Sequence, residues 1–497
     1  MTMPEGNLAS LAAAVLQPGF VGTTPPPWVC RWLAEGLGSV VLFARNVVDP
    51  EQVAGLTATL RAERPDVVVA IDEEAGDVTR IESGRGSSRP GNFALGAVDD
   101  PALTEEVAYD LGAELAALGV TLNYAPDADV NSNPDNPVIG VRSFGADPAL
   151  VARHTAAWVR GLQSGGVAAC AKHFPGHGDT RVDSHHDLPR ITGDRLRLNA
   201  VELAPFRAAV TAGVQAVMTG HLLVPALDPE LPATLSGRIL TGLLRDEFGF
   251  SGVIVTDAVE MRAVADRYGF AGAAVRALAA GADAICVGGE RADEESARHL
   301  RDAIVAAVVS GELPEERLTE AAKRVGQLSA WTVAARADRP VRLPGDSSGV
   351  GLAAARRAVR VTTARGGIGL LPLTGPAHVV EFEPPPNIAI GPDTPWGVAA
   401  PLADLVPGTT AVRYAEADVP RDPTAGAADR RVVLVVRDLH RHRWMRAAVD
   451  RALAARPDAV VVELGVPELV AGRVHLATHG ATRAAGVAAA EILTGVA

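Results

Sequence analysis

Between residues 172 and 185 the chain sets Lys172, His173, His177, Asp179, Asp183 and His185 into one short stretch, Lys-His-Phe-Pro-Gly-His-Gly-Asp-Thr followed by Asp183-Ser184-His185. Pro175, Gly176 and Gly178 break helix and strand alike, so the stretch reads as a loop rather than regular structure. Loops that gather ionisable groups are usually working loops. Two chemistries fit. In an extended segment Asp183 and His185 point the same way. The carboxylate would then fix the imidazole tautomer and stabilise its cation, leaving the other ring nitrogen to move a proton near neutral pH. Alternatively His173, His177, Asp179, Asp183, His185 and His186 could ligate a metal. The His173–His177 spacing suits a helix face, which Pro175 and Gly176 forbid. An isolated Asp-x-His would be read as a solvated polar loop. Lys172 adds weight. Of 46 Lys+Arg only Lys172 and Lys323 are lysine, leaving 46 − 2 = 44 Arg, so a compact ammonium has a specific use here. Asp257 closes the run Gly252-Val253-Ile254-Val255-Thr256. It could serve catalysis at a strand end, or cap a helix, with Glu260 completing a capping box.

Such residues need a scaffold. Short apolar runs alternate with longer amphipathic stretches up to about residue 333. The runs are Val40–Phe43, Val67–Ile71, Val120–Leu122, Val167–Cys170, Ala216–Met218, Val253–Val255 and Ala284–Val287, with Phe20–Val21 a weak eighth. Stretches such as Val201–Val210 read as intervening helices. Strand–helix alternation implies a parallel sheet. Seven or eight units favour a (β/α)8-type TIM barrel over an open sheet. Asp72, Asp127, Lys172, His173, His221 and Asp257 all follow apolar runs, and a barrel gathers such strand ends on its catalytic face. Residues 335–350 turn Arg-, Pro-, Gly- and Ser-rich and read as a linker. The expected organisation is a barrel over 1–334, a linker over 335–350 and a smaller α/β sandwich, flavodoxin-like, over 351–497. In the latter, Ala377–Val380, Val432–Val436 and Ala459–Val462 are strands and 483–493 an Ala-rich helix. Pro384-Pro385-Pro386 and 421–430 are loops.

Composition narrows the partners. The 497 residues are 48% hydrophobic and 21% charged, enough for a sizeable core and a soluble surface. A net charge of −13 disfavours nucleic acid or an anionic membrane as main partner. Cys30, Cys170 and Cys286 have no metal-type spacing and read as free buried thiols. No run of about 18 apolar residues appears, and the first residues lack a basic n-region. These features favour a cytoplasmic protein.

The 172–185 block resembles the signature of glycoside hydrolase family 3, in its β-N-acetylhexosaminidase branch. Asp72-Glu73-Glu74-Ala75-Gly76, Val138–Gly145, Met218-Thr219-Gly220-His221 and Phe250–Asp257 fit the same family in order. The resemblance implies a retaining exo-β-N-acetylglucosaminidase with a barrel and an α/β domain. It implies Asp257 as nucleophile and His185, held by Asp183, as general acid/base in place of a second carboxylate. Asp72, Arg142, Lys172 and His173 would hold sugar hydroxyls. The substrate would be a GlcNAc-terminated glycoside, with muropeptide trimming in cell-wall recycling as natural role. No metal or organic cofactor is implied, and a monomer or homodimer would serve. One position departs. The family usually writes Arg where this chain has Asp77, which puts aglycone preference in doubt. A β-glucosidase or β-xylosidase of the same family, a phosphorylase in which phosphate replaces water beside a neutral base, and a non-catalytic sugar-binding module are the competing readings.

Overall fold

The computed structural model describes residues 5–180, 188–337, 348–385, 387, 389–391 and 394–496. Two units emerge, each discontinuous in sequence. One holds 1–74, 104–139 and 146–347; the other holds 75–103, 140–145 and 348–497.

In the first unit the strands are β1 (Leu16–Pro18), β2 (Ser39–Leu42), β3 (Val68–Ile71), β4 (Leu122–Asn123), β5 (Ala168–Phe174), β6 (Ala216–Thr219), β7 (Val253–Thr256) and β8 (Ile285–Val287). Strands β2 to β7 pair in chain order, all parallel. Ala284 N donates to Ile254 O and Thr256 N to Ala284 O, joining β8 to β7, and β8 pairs parallel with β1. Alternate side chains of the strands, among them Val41, Ala70, Leu122, Cys170, Met218, Val255 and Cys286, meet in a single buried cluster. One core fed by β2 to β8 is a barrel interior, so the expected (β/α)8 architecture is the one observed. The eighth strand is Leu16–Pro18, not Phe20–Val21. Phe20 is buried, but Val21 is 67% exposed. Strand β1 hid because it directly follows the apolar helix Glu5–Ala14 and carries Gln17, whose amide oxygen accepts from the buried Tyr124 hydroxyl.

The stretch expected as a helix over Val201–Val210 begins with a turn at 201–203 and is helical only in Ala204–Thr211, with a separate helix, Arg195–Ala200, before the turn. The turn exists because Asp194 caps the first helix through Arg197 N, while Pro205 starts the second. Helix Glu315–Ala337 runs past 335, so the beginning of the expected linker is helical; 338–347 lie outside the described residues.

The second unit is built on β9 (Arg360–Thr363), β10 (Ala377–Phe382), β11 (Thr410–Tyr414), β12 (Arg431–Val436), β13 (Val460–Glu463) and β14 (Val474–Ala477). The sheet order is β11-β10-β12-β13-β14-β9, parallel except for β9. Its parallel part has the flavodoxin-like order. Core clusters lie on both faces, one around helix Arg443–Ala455, the other around Arg483–Thr494. Strands β9, β11 and β14 had no clear signal. The first two are edges with mainly exposed side chains, and β14 is short. Segment 75–103 joins this unit: Ala484 N donates to Ser87 O (3.2 Å) and Arg483 Nη2 to Glu82 Oε1 (3.2 Å). Cys170 and Cys286 are buried and free, Cys30 is free and half-buried. No described helix is long and apolar enough to cross a membrane.

Candidate active site

Lys172, His173 and Phe174 are the last residues of β5; regular structure ends only at Pro175. The segment read as wholly irregular is therefore a strand end that delivers two functional side chains, followed by a turn. The Lys172 side chain is 2% exposed, with Nζ 2.5 Å from Asp72 Oδ1 and 2.6 Å from Glu74 Oε1. One ammonium thus ties the chain leaving β3 to the end of β5. Asn123 on β4 orders the intervening residue, accepting from Glu73 N (2.9 Å) and donating to Glu73 O (2.7 Å). Glu74 was not singled out from sequence. Its signal was the Asp72-Glu73-Glu74 spacing, which sets residues two apart on one side of an extended chain.

His173 is fixed by Asp129, another residue not singled out. Its Nδ1 lies 2.8 Å from Asp129 Oδ2 and 3.9 Å from Asp127 Oδ2. Asp129 Oδ1 also accepts from His177 N at 2.6 Å. Donation from Nδ1 sets the tautomer and leaves Nε2 as the second ring nitrogen. His177 is committed differently, its Nδ1 2.7 Å from Thr180 Oγ1. Among the described residues, Asp127, Asp129 and His173 form the group with metal-like spacing. Of the ligands expected from sequence only His173 belongs to it, and there His173 and Asp129 already bond each other. Asp183, His185 and His186 lie outside the described residues.

Asp257 follows β7, half-buried, with its N donating to Thr219 O (3.0 Å) and its Oδ1 accepting from Ala258 N (2.8 Å). The capping box does not form. The next helix starts at Arg262 behind Met261, and the Glu260 carboxylate instead accepts from Gly288 N (2.8 Å) and Gly289 N (2.7 Å). Burial, then the charges of Glu260, Asp257 and Asp72, push the Cys286 thiol well above its ordinary value. Asp72 directly follows β3 and Asp257 directly follows β7, so in this parallel barrel both stand at the pole formed by the carboxyl ends of the strands.

His221 supports Asp257 from the end of β6. Its Nε2 donates to Ala258 O (3.0 Å), and its Nδ1 is 2.8 Å from Thr234 Oγ1. Replacing His221 by Ala removes the bond that holds the peptide beside Asp257. We expect kcat to fall about tenfold, the cost of one neutral hydrogen bond at a reacting group, measured as initial rates at saturating substrate.

Arg142 and Asp77 belong to the second unit. Arg142 is buried in the short helix Gly140–Arg142, its carbonyl accepting from Asn92 Nδ2 at 2.7 Å. Asp77, the departure from the family pattern, is buried; it pairs with Arg437 and accepts from Ala481 N at 2.9 Å. Burial pushes its carboxyl up while Arg437 opposes the rise. The acidic charge is thus answered inside its own unit. Asp77→Arg, which restores the usual charge, should destabilise the protein by about 3–5 kcal/mol by setting two buried guanidiniums together. Asp77→Arg with Arg437→Asp should recover most of that loss in denaturant unfolding.

Residues 30–328 match the family model described as glycosyl hydrolase family 3 N terminal domain. The chain is 34% identical over 400 residues to beta-hexosaminidase A of Pseudoalteromonas piscicida, covering 73% of this chain and 65% of that protein. It is 38% identical over 280 residues to a beta-hexosaminidase of Stenotrophomonas maltophilia strain K279a, covering 54% of this chain and 82% of that one. Among solved structures, a glycoside hydrolase family 3 beta-N-acetylglucosaminidase from Paenibacillus sp. str. FPU-7 superposes with a TM-score of 0.88 at 36% identity, over 98% of this chain and 96% of that chain. With barrel, strand-end carboxylates and sequence match in agreement, the chain belongs to glycoside hydrolase family 3.

Proposed function

We propose that this chain is a retaining exo-β-N-acetylglucosaminidase that releases terminal GlcNAc through a covalent glycosyl-enzyme. The observation that carries the reading is that Asp257 and the Asp72–Lys172–Glu74 cluster stand at the ends of parallel barrel strands, at one pole. In this reading Asp257 attacks the anomeric carbon while His185, oriented by Asp183, protonates the leaving oxygen. The bond to the aglycone breaks as the Asp257–sugar bond forms. Water, deprotonated by the now neutral His185, then displaces Asp257 with net retention. Asp72, Lys172, His173 and Arg142 hold the sugar's hydroxyls. Asp129 serves this role indirectly by fixing the His173 ring. The relatives' names support the acetamido sugar. GlcNAc-terminated muropeptide fragments are the substrates we propose within that class.

The test compares kcat/KM on p-nitrophenyl β-N-acetylglucosaminide and the matching β-glucoside, with the product anomer read by proton NMR. Preference for the acetamido sugar and a first-formed β-anomer support the reading; preference for the glucoside or an α-anomer overturns it. Repeating the assay with inorganic phosphate decides the acceptor, since transfer to phosphate yields the 1-phosphate in place of free sugar.

A further inference from the structure

The turn that follows β5 rests on a carboxyl group with no part in the chemistry described above. Glu202 lies between helices Arg195–Ala200 and Ala204–Thr211, is 1% exposed, and among the described residues its carboxylate oxygens have no hydrogen-bond partner beyond its own backbone. Its Cβ would stand only 2.8 Å from a Cβ built on Gly176, which has φ +126°. Glycine at 176 therefore lets the turn sit directly on Glu202. On the far side a Cβ at Gly178 would overlap the Val130 carbonyl, so the turn is clamped between Glu202 and the loop after β4.

A carboxyl in that position is costly. Burial disfavours the ionised form and pushes the Glu202 carboxyl above its ordinary value, opposed by its own backbone N–H and by Arg197. A leucine or glutamine would fill the same space at lower cost, so packing alone does not account for the residue. Its connections do. Arg197 Nη2 lies 3.6 Å from Glu202 Oε1, 3.3 Å from Asp179 Oδ2 and 3.3 Å from Ser132 Oγ. One guanidinium therefore joins Glu202 to the turn after β5, which holds Asp179, and to the loop after β4, which holds Ser132. Those two segments also carry His177 and Asp129, and Asp129 holds the His173 ring at the end of β5.

We propose that Glu202 is a positioning residue for the 173–180 turn, acting through Arg197 on Asp179 and Ser132. Glu202 does not touch sugar. Its negative charge holds Arg197 where that side chain can bridge the two segments, and so fixes the height of the His173 ring against Asp129. Without the charge Arg197 keeps only its more exposed partners, and the turn gains freedom to shift. Misplacement of about 1 Å at a reacting site is enough to lower turnover substantially.

The inference rests on the hydrolase reading for its kinetic readout, so the test has two arms. In the first, Glu202→Gln is compared with wild type on p-nitrophenyl β-N-acetylglucosaminide, well below both melting temperatures. The expected result is a kcat about tenfold lower with KM within about twofold, and a Tm equal to or above wild type because the desolvation cost of a buried carboxyl is gone. Unchanged kcat, or a change confined to KM, overturns the proposal. If Glu202→Gln does not fold, Arg197→Gln removes the bridge from its exposed end and must show the same kcat loss. The second arm needs no substrate: amide hydrogen exchange of residues 173–180 should be faster in Glu202→Gln, and equal exchange overturns the proposal. A wild-type protein inactive on this substrate sinks the hydrolase reading alone and leaves the exchange arm to decide.

Discussion

Asp257→Asn should lower kcat on the order of 10³-fold or more, while KM stays within a few-fold and the fold is unchanged. The asymmetry follows from what asparagine preserves. Asn keeps an oxygen to accept from Ala258 N, as Asp257 Oδ1 does at 2.8 Å. The backbone is held independently by the bond from Asp257 N to Thr219 O and by His221 on Ala258 O. Only the nucleophile is lost, since a neutral amide neither attacks the anomeric carbon nor stabilises the oxocarbenium-like charge. Asp257→Ala separates those two roles. With the side chain gone, azide can enter from the same face, and the glycosyl azide it forms carries the α configuration, opposite to the substrate. Activity of Asp257→Asn within about tenfold of wild type would move the nucleophile elsewhere. A β-azide would show that attack does not come from the Asp257 side.

Local chemistry and its pairing partners were unequally legible in the sequence. Lys172, His173 and Asp257 stood out because each ends an apolar run, and strand ends of a barrel share one pole. The partners that fix them did not. Asp129 is two residues beyond Asp127, in a stretch where nothing marks which carboxylate will meet His173; the choice is made in three dimensions, where β4 and β5 lie side by side. Glu74 and Lys172 are likewise brought together by sheet order. The capping box at Asp257-Ala258-Val259-Glu260 is a sound local signal, yet Glu260 is drawn instead to the backbone N–H groups of Gly288 and Gly289. Strand β1 failed for a different reason. Three residues containing a buried Gln17 carry too little hydrophobic pattern to register, and the strand exists because β8 pairs with it. Asp77 shows the same limit at the scale of a unit, its partner Arg437 lying far along the chain. This departure from the family pattern is, in the structure, a buried ion pair within the second unit.

Lys172→Met should cost both stability and activity, and the two losses can be separated. The Lys172 ammonium is buried between Asp72 and Glu74, with Glu74 itself 4% exposed on its side chain. Met has nearly the same length and shape but no charge, so little packing is lost. What remains is two neighbouring carboxylates without their shared cation. Breaking a buried ion pair from one side costs about 3–5 kcal/mol, which denaturant unfolding at neutral pH would register as a lower midpoint with unchanged slope. Arginine is not expected to rescue it. Its guanidinium is longer, planar and bulkier than an ammonium, and the slot between Asp72 and Glu74 is filled by a methylene chain ending in one compact cation. Adding Glu74→Gln to Lys172→Met removes one of the stranded charges and should return about half or more of the lost stability, because the penalty lies in the uncompensated carboxylate rather than in a missing contact. It should not return activity. Asp72 then still lacks the ammonium that orients it, and kcat/KM should stay on the order of 100-fold below wild type, the scale of a lost charge-assisted bond at the sugar. Joint recovery of stability and kcat/KM in the double variant would mean that Lys172 only neutralises charge. Recovery of stability alone assigns the Lys172–Asp72 pair to the sugar, with Glu74 as the residue that keeps the ammonium in place.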